Sequence, residues 1–273
     1  MIAVVTDSAS MLPPSWLARW GVLVAPLTVV LDGAPFKEGV ELSTAEFYRR
    51  LAAGAEVTTS APSPGDLLTT YRAAVDAGAS HIVAIHTGSA YSAVLAPAGI
   101  AAEECPVPVE LVDTATVSFP VALCVAAACE ARDQGAEVSA TATAARAIAA
   151  VVDSVFIVGA PELARRGGRF GDAAPEDGTT TILGLGPGGF VDLGAAADVD
   201  DAIAQMADHV RCAATGRSLR VGVGDADRPD LGTRLSDALG GVTGVDELVR
   251  YEVGPSVGAH SGPGTVGAVW APR

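Results

Sequence analysis

Along the first half of the chain, short runs of consecutive apolar residues alternate with longer segments of helical spacing. "IAVVTD" (residues 2–7) reads as a buried strand ending on Asp7 and Ser8, and "HIVAIHTG" (81–88) and "VPVELVDTA" (107–115) read the same way. Helices are predicted for "PPSWLARWG", stopped by Gly21, and for "STAEFYRRLAAG", with Ser43 or Thr44 as N-cap and Gly54 closing it. "SPGDLLTTYRAAVDAG" reads as a further helix, opened by Pro64 and ended by Gly78, and "FPVALCVAAACEARDQG" as another. "VLVAPLTVVLDG" is strand-like and turns at Asp32-Gly33. Strands that are apolar throughout and separated by helices imply parallel βαβ units covered on both faces. Ligands of such sheets bind beyond the carboxyl ends of the strands.

Beyond about residue 155 the pattern changes. "SVFIVGAPELARRGGRFG" and "TTTILGLGPGGFVDLGAA" predict strand, short helix and hairpin. "DADRPDLGTRLSDALGG" predicts a helix, and "ELVRYEVG" and "TVGAVWA" strands. The Gly-rich, acidic "GDAAPEDGTT" is a surface loop. The expected fold class is therefore α/β: a parallel-sheet domain with helices on both faces over residues 1–155, and a smaller α+β domain with an antiparallel sheet over 156–273. No internal repeat or low-complexity tail is present.

Composition narrows the function. Hydrophobic residues make up 49% of the chain and charged ones 18%, so a large core is available; aromatics are only 5%, so Ala, Val, Leu and Ile build it. The formal net charge of −15 repels phosphate backbones and anionic membrane surfaces, which argues against nucleic acid and makes any anionic ligand depend on a local cluster of donors. Cys105, Cys124, Cys129 and Cys212 form no CxxC pair and no zinc spacing, and are expected to be reduced core thiols. "MIAVVTDSAS" lacks the features of a secretory signal, and no apolar run approaches the ~20 residues that span a bilayer. A cytoplasmic protein without integral membrane insertion is expected.

Hydroxyl-rich turns close several strands: Thr6-Asp7-Ser8, Thr58-Thr59-Ser60, His86-Thr87-Gly88-Ser89 and Asp113-Thr114. In a parallel sheet such ends share one edge and can converge. Those at Thr59 and Thr87 lead into helices, whose N-termini and hydroxyls suit a carboxylate or phosphate, although Ser and Thr at such places also serve simply as caps. His81 reads as a surface or strand-start residue, His209 as an exposed helix residue, and His86, in the polar turn, as a candidate ligand contact beside a purely structural reading. His260, in "VGPSVGAHSGPGTVGAVW", is surrounded by glycines that leave room for an approaching group. "GLGPGG" at Gly184–Gly189 has the form GxGxxG, but Pro187 and the strand-like "FVDLG" after it make a hairpin turn the better account. No GxSxG, P-loop or HExxH motif occurs.

These motifs together resemble the DegV family. "VVTDSASMLP" resembles its opening strand, and "VLVAPLTVVLDGAPFKEGVELSTAEFYRRL" its next segment. "TTSAPSPGDL" is similar to its Thr-Ser-x-Pro-Ser turn, and "HTGSAYSA" takes the place of its Ser-rich turn. "VDTATVSFPVALCV", "ELARRGGRF" and the closing Gly-Pro-x-x-Gly-x-His-x-Gly-Pro-Gly follow in order, so the likeness spans nearly the whole chain. The resemblance implies a FakB-like component of a fatty acid kinase system. Such a protein binds one long-chain fatty acid in an apolar tunnel between its domains. It presents the carboxylate to a separate kinase, which makes the acyl phosphate for phospholipid metabolism. It implies no catalytic residue, metal or cofactor here, the bound ligand being the fatty acid. The carboxylate contacts carried over are Thr59, Ser60, Thr87, Gly88, Ser89, Ser92 and His260; Arg165, Arg166 and Arg169 are expected to contact the kinase.

Two departures bear on this. The serine usual in the Ser-rich turn falls on Ala90, which leaves Ser89 or Ser92 to replace it. The family's Lys-Pro-Ile-Leu and a later Val-Arg are replaced by Thr181-Ile182-Leu183-Gly184 and Gly194–Ala197, removing basic residues from the surface expected to meet the kinase. The alternatives are a stand-alone α/β enzyme, a small-molecule kinase or hydrolase with Asp7 or Asp113 as base or metal ligand, and a structural dimer module.

Overall fold

The structure, a computed structural model, describes residues 1–176, 178–186 and 188–273. The chain forms two compact units, Met1–Ala150 and Val151–Arg273.

The first unit is built on β1 (Ile2–Asp7), α1 (Pro14–Trp20), β2 (Leu23–Ala25), β3 (Thr28–Leu31), β4 (Ala34–Lys37), α2 (Thr44–Ala52), β5 (Val57–Ser60), α3 (Pro64–Asp76), β6 (His81–His86), α4 (Leu95–Glu103), β7 (Val109–Asp113), α5 (Phe119–Asp133) and α6 (Val138–Ala149). Four strands pair in parallel in the order β2-β1-β6-β7. Leu67, Tyr71 and Ala74 of α3 and Ala98 and Ala101 of α4 close over one face, against Val5, Ile82 and Ala84. Helices α5 and α6 pack on the same strands from the other face. Ten of the fifteen residues of α5 are buried, so its apolar character runs all round it rather than along one stripe. Leu67, Tyr71, Ile82 and Phe119 are at most 2% exposed.

The segment read as one long strand, Val22–Gly33, is divided. Pro26 has no N–H to give a ladder, so β2 ends at Ala25 and β3 starts a separate antiparallel sheet of order β4-β3-β5. Asp32 (φ 51°) and Gly33 (φ 81°) form the predicted turn between β3 and β4; two left-handed residues there match the twist of a hairpin. This also corrects an expectation about the site: Thr58-Thr59-Ser60 belongs to β5 of the antiparallel sheet and does not lie along the edge of the parallel one.

The second unit comprises β8 (Asp153–Ile157), α7 (Pro161–Gly167), β9 (Thr180–Gly186), β10 (Gly189–Ala196), α8 (Val199–Ala214), β11 (Leu219–Asp225), α9 (Pro229–Leu239), β12 (Val245–Glu252), α10 (Pro255–Ser261) and β13 (Val266–Pro272). Its six strands run in the order β10-β9-β8-β13-β11-β12. The boundary falls ahead of β8 instead of within it, because β8 pairs only into this sheet. The expected antiparallel sheet is in fact mixed: β11 and β12 are parallel, joined by α9 as crossover. Ile203, Met206 and Val210 of α8 and Leu231, Leu235 and Leu239 of α9 cover Val155, Val221, Val223 and Ala268. Phe156, Phe170 and Phe190 form an aromatic cluster with Leu183 and Ala164. The Gly-rich stretch at 184–189 is a hairpin, with Gly189 opposite Gly186; Pro187 lies outside the described residues.

The cysteines divide. Cys124 and Cys129 are buried, and burial pushes both thiols up to about 12, whereas Cys105 is half-buried and Cys212 exposed, so the expectation of core thiols fails at Cys212. Among the described residues no helix is long and apolar enough to cross a membrane, and no group of three or more His, Cys, Asp or Glu side chains is arranged to hold a metal.

Candidate functional site

Parallel pairing brings the carboxyl ends of β1, β6 and β7 to one edge, where Thr6 sits opposite Ile85 and His86 opposite Asp113. Asp7 is fully buried there. Its Oδ2 accepts from His86 Nδ1 at 3.0 Å and from the Thr87 amide at 2.9 Å; its Oδ1 accepts from Thr87 Oγ1 at 2.8 Å and from the Ala9 amide at 3.1 Å. Beyond His86, Nε2 lies 3.3 Å from the Tyr71 hydroxyl. A carboxylate removed from water needs such converging donors to offset its lost hydration. Neither the Thr87 hydroxyl nor the His86 ring is therefore offered outward, although the sequence reading made Thr87 a ligand contact and His86 a candidate for one.

The turn that follows is held from its other side by loop 114–118. The Gly88 amide donates to the Thr116 carbonyl at 2.7 Å, and a Cβ on Gly88 would come within 2.6 Å of the Ala115 and Thr116 backbone. Gly88 thus serves backbone approach, which no other residue allows. Ala115 and Ser118 themselves adopt positive φ (52° and 66°). Ser89 is turned to Asp113: its hydroxyl donates at 2.7 Å and its amide at 3.3 Å. Ser92 is half-buried, its amide donates to the Gly88 carbonyl at 3.0 Å, and its hydroxyl meets no partner among the described residues. Of the two serines that flank Ala90, Ser92 is the one with a hydroxyl to give.

Thr59 and Ser60 stand on β5 opposite Val29 and Thr28, the first half-buried and the second exposed. The helix after them is fixed by a reciprocal cap, Ser63 Oγ accepting from the Asp66 amide while Asp66 Oδ2 accepts from the Ser63 amide. The Lys37 ammonium, 2.6 Å away, together with these bonds holds the Asp66 carboxyl below its usual range despite partial burial.

In the second unit, His260 lies on α10, a short helix that the sequence pattern did not predict. Its surroundings explain the glycines. A Cβ on Gly167, at the end of α7, would stand 2.5 Å from His260 Nδ1; one on Gly262 would stand 2.2 Å from Ala160 Cβ; one on Gly159 would stand 2.0 Å from the Pro263 carbonyl. The Ala160 amide donates to the Ser261 carbonyl, and Thr265 Oγ1 accepts from the Gly159 amide while donating to the Ser261 and Gly262 carbonyls. Gly159, Gly167 and Gly262 make room for protein backbone, for Ala160 and for the imidazole.

Burial, with the Arg169 guanidinium as the smaller cause, depresses His260 to about 4. It is a neutral imidazole at pH 7, beside a permanent cation. Arg169 is exposed and donates to the Gly167 carbonyl at 2.8 Å. Arg165 reaches the Pro175 carbonyl at 2.8 Å, so it braces the loop after α7, and Arg166 is exposed. The structure thus collects Thr87, Gly88, Ser89 and Ser92 in one turn and sets Arg165, Arg166 and Arg169 on or just past α7, against which α10 carries His260. A neutral imidazole N–H is a donor suited to an oxyanion.

Comparison with known proteins agrees with this reading of the fold. The family model described as "uncharacterised protein, DegV family" matches residues 1–273. The chain belongs to the DegV family. A DegV domain-containing protein of Streptomyces coelicolor is 35% identical over 100% of this chain and 99% of its own length. A fatty acid-binding DegV family protein from Thermus thermophilus superposes with a TM-score of 0.90 at 30% identity, covering 100% of this chain and 99% of the other. The fold is shared also with DegV of Bacillus subtilis, a fatty acid binding protein, at a TM-score of 0.89 and 22% identity, covering 100% and 99%. Asp7, placed here as the buried anchor of the Ser-rich turn, had been considered in sequence only as a base or metal ligand of an alternative enzyme. The hint available was an acidic residue ending one strand and a histidine ending the next. The nearness of Arg169 to His260 had no signal, since the two are far apart in the chain.

Proposed function

We propose that this DegV protein binds one long-chain fatty acid and presents its carboxylate, in the cytoplasm, to a separate fatty acid kinase that forms the acyl phosphate. The chain itself supplies binding and no catalytic group. The proposed carboxylate donors are the hydroxyls and amides of Thr59, Ser60 and the turn ending at Ser92 in the first unit, and the imidazole of His260 in the second. Of the sequence-derived contacts, Thr87, Gly88 and Ser89 act in this reading as framework for that turn.

The observation that carries the proposal is His260: a neutral donor, pushed down to about 4 mainly by burial and secondly by Arg169, in a chain whose net charge of −15 otherwise repels anions. The fatty acid bound by the Thermus thermophilus relative, similar along the whole chain, supplies the ligand class. Burial of the acyl chain would contribute about 0.8 kcal/mol per CH₂. Exposed Arg166 and Arg169 are the proposed kinase contacts, with Arg165 holding the segment between them and Pro175.

Binding of oleate by the purified protein and by three variants tests the assignment. Ser92→Ala and His260→Ala each remove a donor to a charged group, worth about 1.5–3 kcal/mol or about ten- to a hundredfold in affinity. Ser89→Ala, whose hydroxyl serves Asp113, should bind within about threefold of the parent. A Ser92→Ala protein of parental affinity together with a weakened Ser89→Ala would reverse the roles; parental affinity in both Ser92→Ala and His260→Ala would sink the proposed site.

A further inference from the structure

The binding reading above gives no role to the three buried polar side chains behind the Ser-rich turn. Tyr71, His86 and Asp7 are each fully shielded from solvent, and Thr87 is 1% exposed. Their neighbours on the same sheet and helices are apolar: Val5, Ile82, Ala84, Leu67 and Ala74. Apolar side chains of similar volume would fill this space with less desolvation to offset, so three connected polar groups call for a purpose other than packing.

The arrangement has a direction. Four donors converge on Asp7, from the amide of Ala9, the amide and hydroxyl of Thr87, and His86 Nδ1. Nδ1 must therefore carry a hydrogen. Burial, together with the charges of Cys105 and Asp7, drives the Tyr71 phenol upward, so it keeps its proton and has it to give. We propose that Tyr71, His86 and Asp7 form a positioning relay. Tyr71 donates to His86 Nε2, His86 Nδ1 donates to Asp7 Oδ2, and Asp7 clamps the amide and hydroxyl of Thr87, so that the turn from Thr87 to Ser92 is held with its outer donors aimed at the ligand. The last clause rests on the fatty acid reading; the clamp on Thr87 does not.

The geometry explains why a clamp is needed. Among the described residues, the backbone hydrogen bond that ties Ser92 back toward the strand is the one to the Gly88 carbonyl. Gly88 is pinned from the far side by Thr116, and Thr87 from the near side by Asp7. Loosening Thr87 releases one of the two fixed points from which Ser92 is placed. Tyr71, His86 and Asp7 act through that turn and are positioning residues.

Two readouts test the relay. Long-range ¹⁵N–¹H spectra of the parent protein report the His86 ring directly: the expected form is protonated at Nδ1 and bare at Nε2. A ring bare at Nδ1, or one protonated at both nitrogens, would overturn the relay's direction. Hydrogen exchange at the Thr87 amide and oleate affinity are then compared in Tyr71→Phe, His86→Asn and His86→Leu. Asparagine keeps a donor where Nδ1 stands; leucine does not. Loss of one neutral hydrogen bond predicts about three- to tenfold faster Thr87 exchange and a similar loss of affinity in Tyr71→Phe and in His86→Asn, which keeps the donor to Asp7 but loses the acceptor for Tyr71, and a larger effect in His86→Leu, which loses both. Should His86→Leu fail to fold, Tyr71→Phe and His86→Asn decide the matter. Unchanged exchange in Tyr71→Phe or in His86→Asn, or a loss in His86→Leu no greater than in His86→Asn, would show that the network only fills space. If the parent binds no oleate while the ring form and exchange come out as expected, the fatty acid reading fails and the clamp on Thr87 stands.

Discussion

Lowering the pH should unfold this protein partly through one residue. His260 is held near 4 in the folded chain, first by burial and then by Arg169, against 6.5 for the free side chain. The unfolded chain therefore takes up a proton that the folded chain refuses. Stability from this residue is fully present above about pH 6.5, falls as the pH drops toward 4, and below 4 falls no further. At 1.36 kcal/mol per unit the full effect is about 3 kcal/mol, of which about 2 is lost by pH 5. Urea unfolding at pH 7, 6, 5 and 4, on the parent and on His260→Gln, isolates the term because all other titrating groups are common to both. The parent should lose about 2 kcal/mol more than the variant between pH 7 and 5. Adding Arg169→Ala should return only the smaller part of the difference, since burial is the larger cause. Parallel profiles for parent and His260→Gln would refute the reasoning, and with it the neutral donor on which the binding proposal depends.

The glycines around His260 can be tested separately. Gly262 has φ 75° and ψ 171°, a region open essentially to glycine alone, and faces Ala160; Gly262→Ala should cost about 2–5 kcal/mol by urea midpoint, and a loss below about 0.5 would show that α10 accommodates the change. Arg169→Ala should leave oleate binding within about threefold while slowing acyl phosphate formation by a cognate kinase at least about tenfold, as expected for a lost guanidinium contact; an unchanged rate would remove Arg169 from the interface.

Apolar patterning located the elements of the first unit well, because each parallel strand is buried on both faces and each helix carries its own punctuation: Gly21 after α1, Ser43 before α2, Pro64 opening α3. It fared worse where burial was one-sided or the helix short. The Ala- and Thr-rich α6 went unread, α8 was recognised only at His209, and α10 was hidden by three glycines and a proline; β11 was missed although all of its residues are buried. The division of "VLVAPLTVVLDG" between two sheets turns on Pro26 and on long-range pairing that no local pattern carries. At the site, Ser92 and His260 were visible as residue types in a family pattern, but which hydroxyl is spoken for was not. Thr87 and Ser89 look the same in sequence as Ser92, and only the carboxylates of Asp7 and Asp113, brought alongside by strand pairing, separate them.

Native mass spectrometry of the protein purified from a bacterial host tests the central claim most directly. The account predicts a bound species at near one-to-one ratio, released by organic solvent and identified by mass as a long-chain fatty acid, and its displacement by added oleate. Protein that emerges empty and takes up no added fatty acid would contradict it.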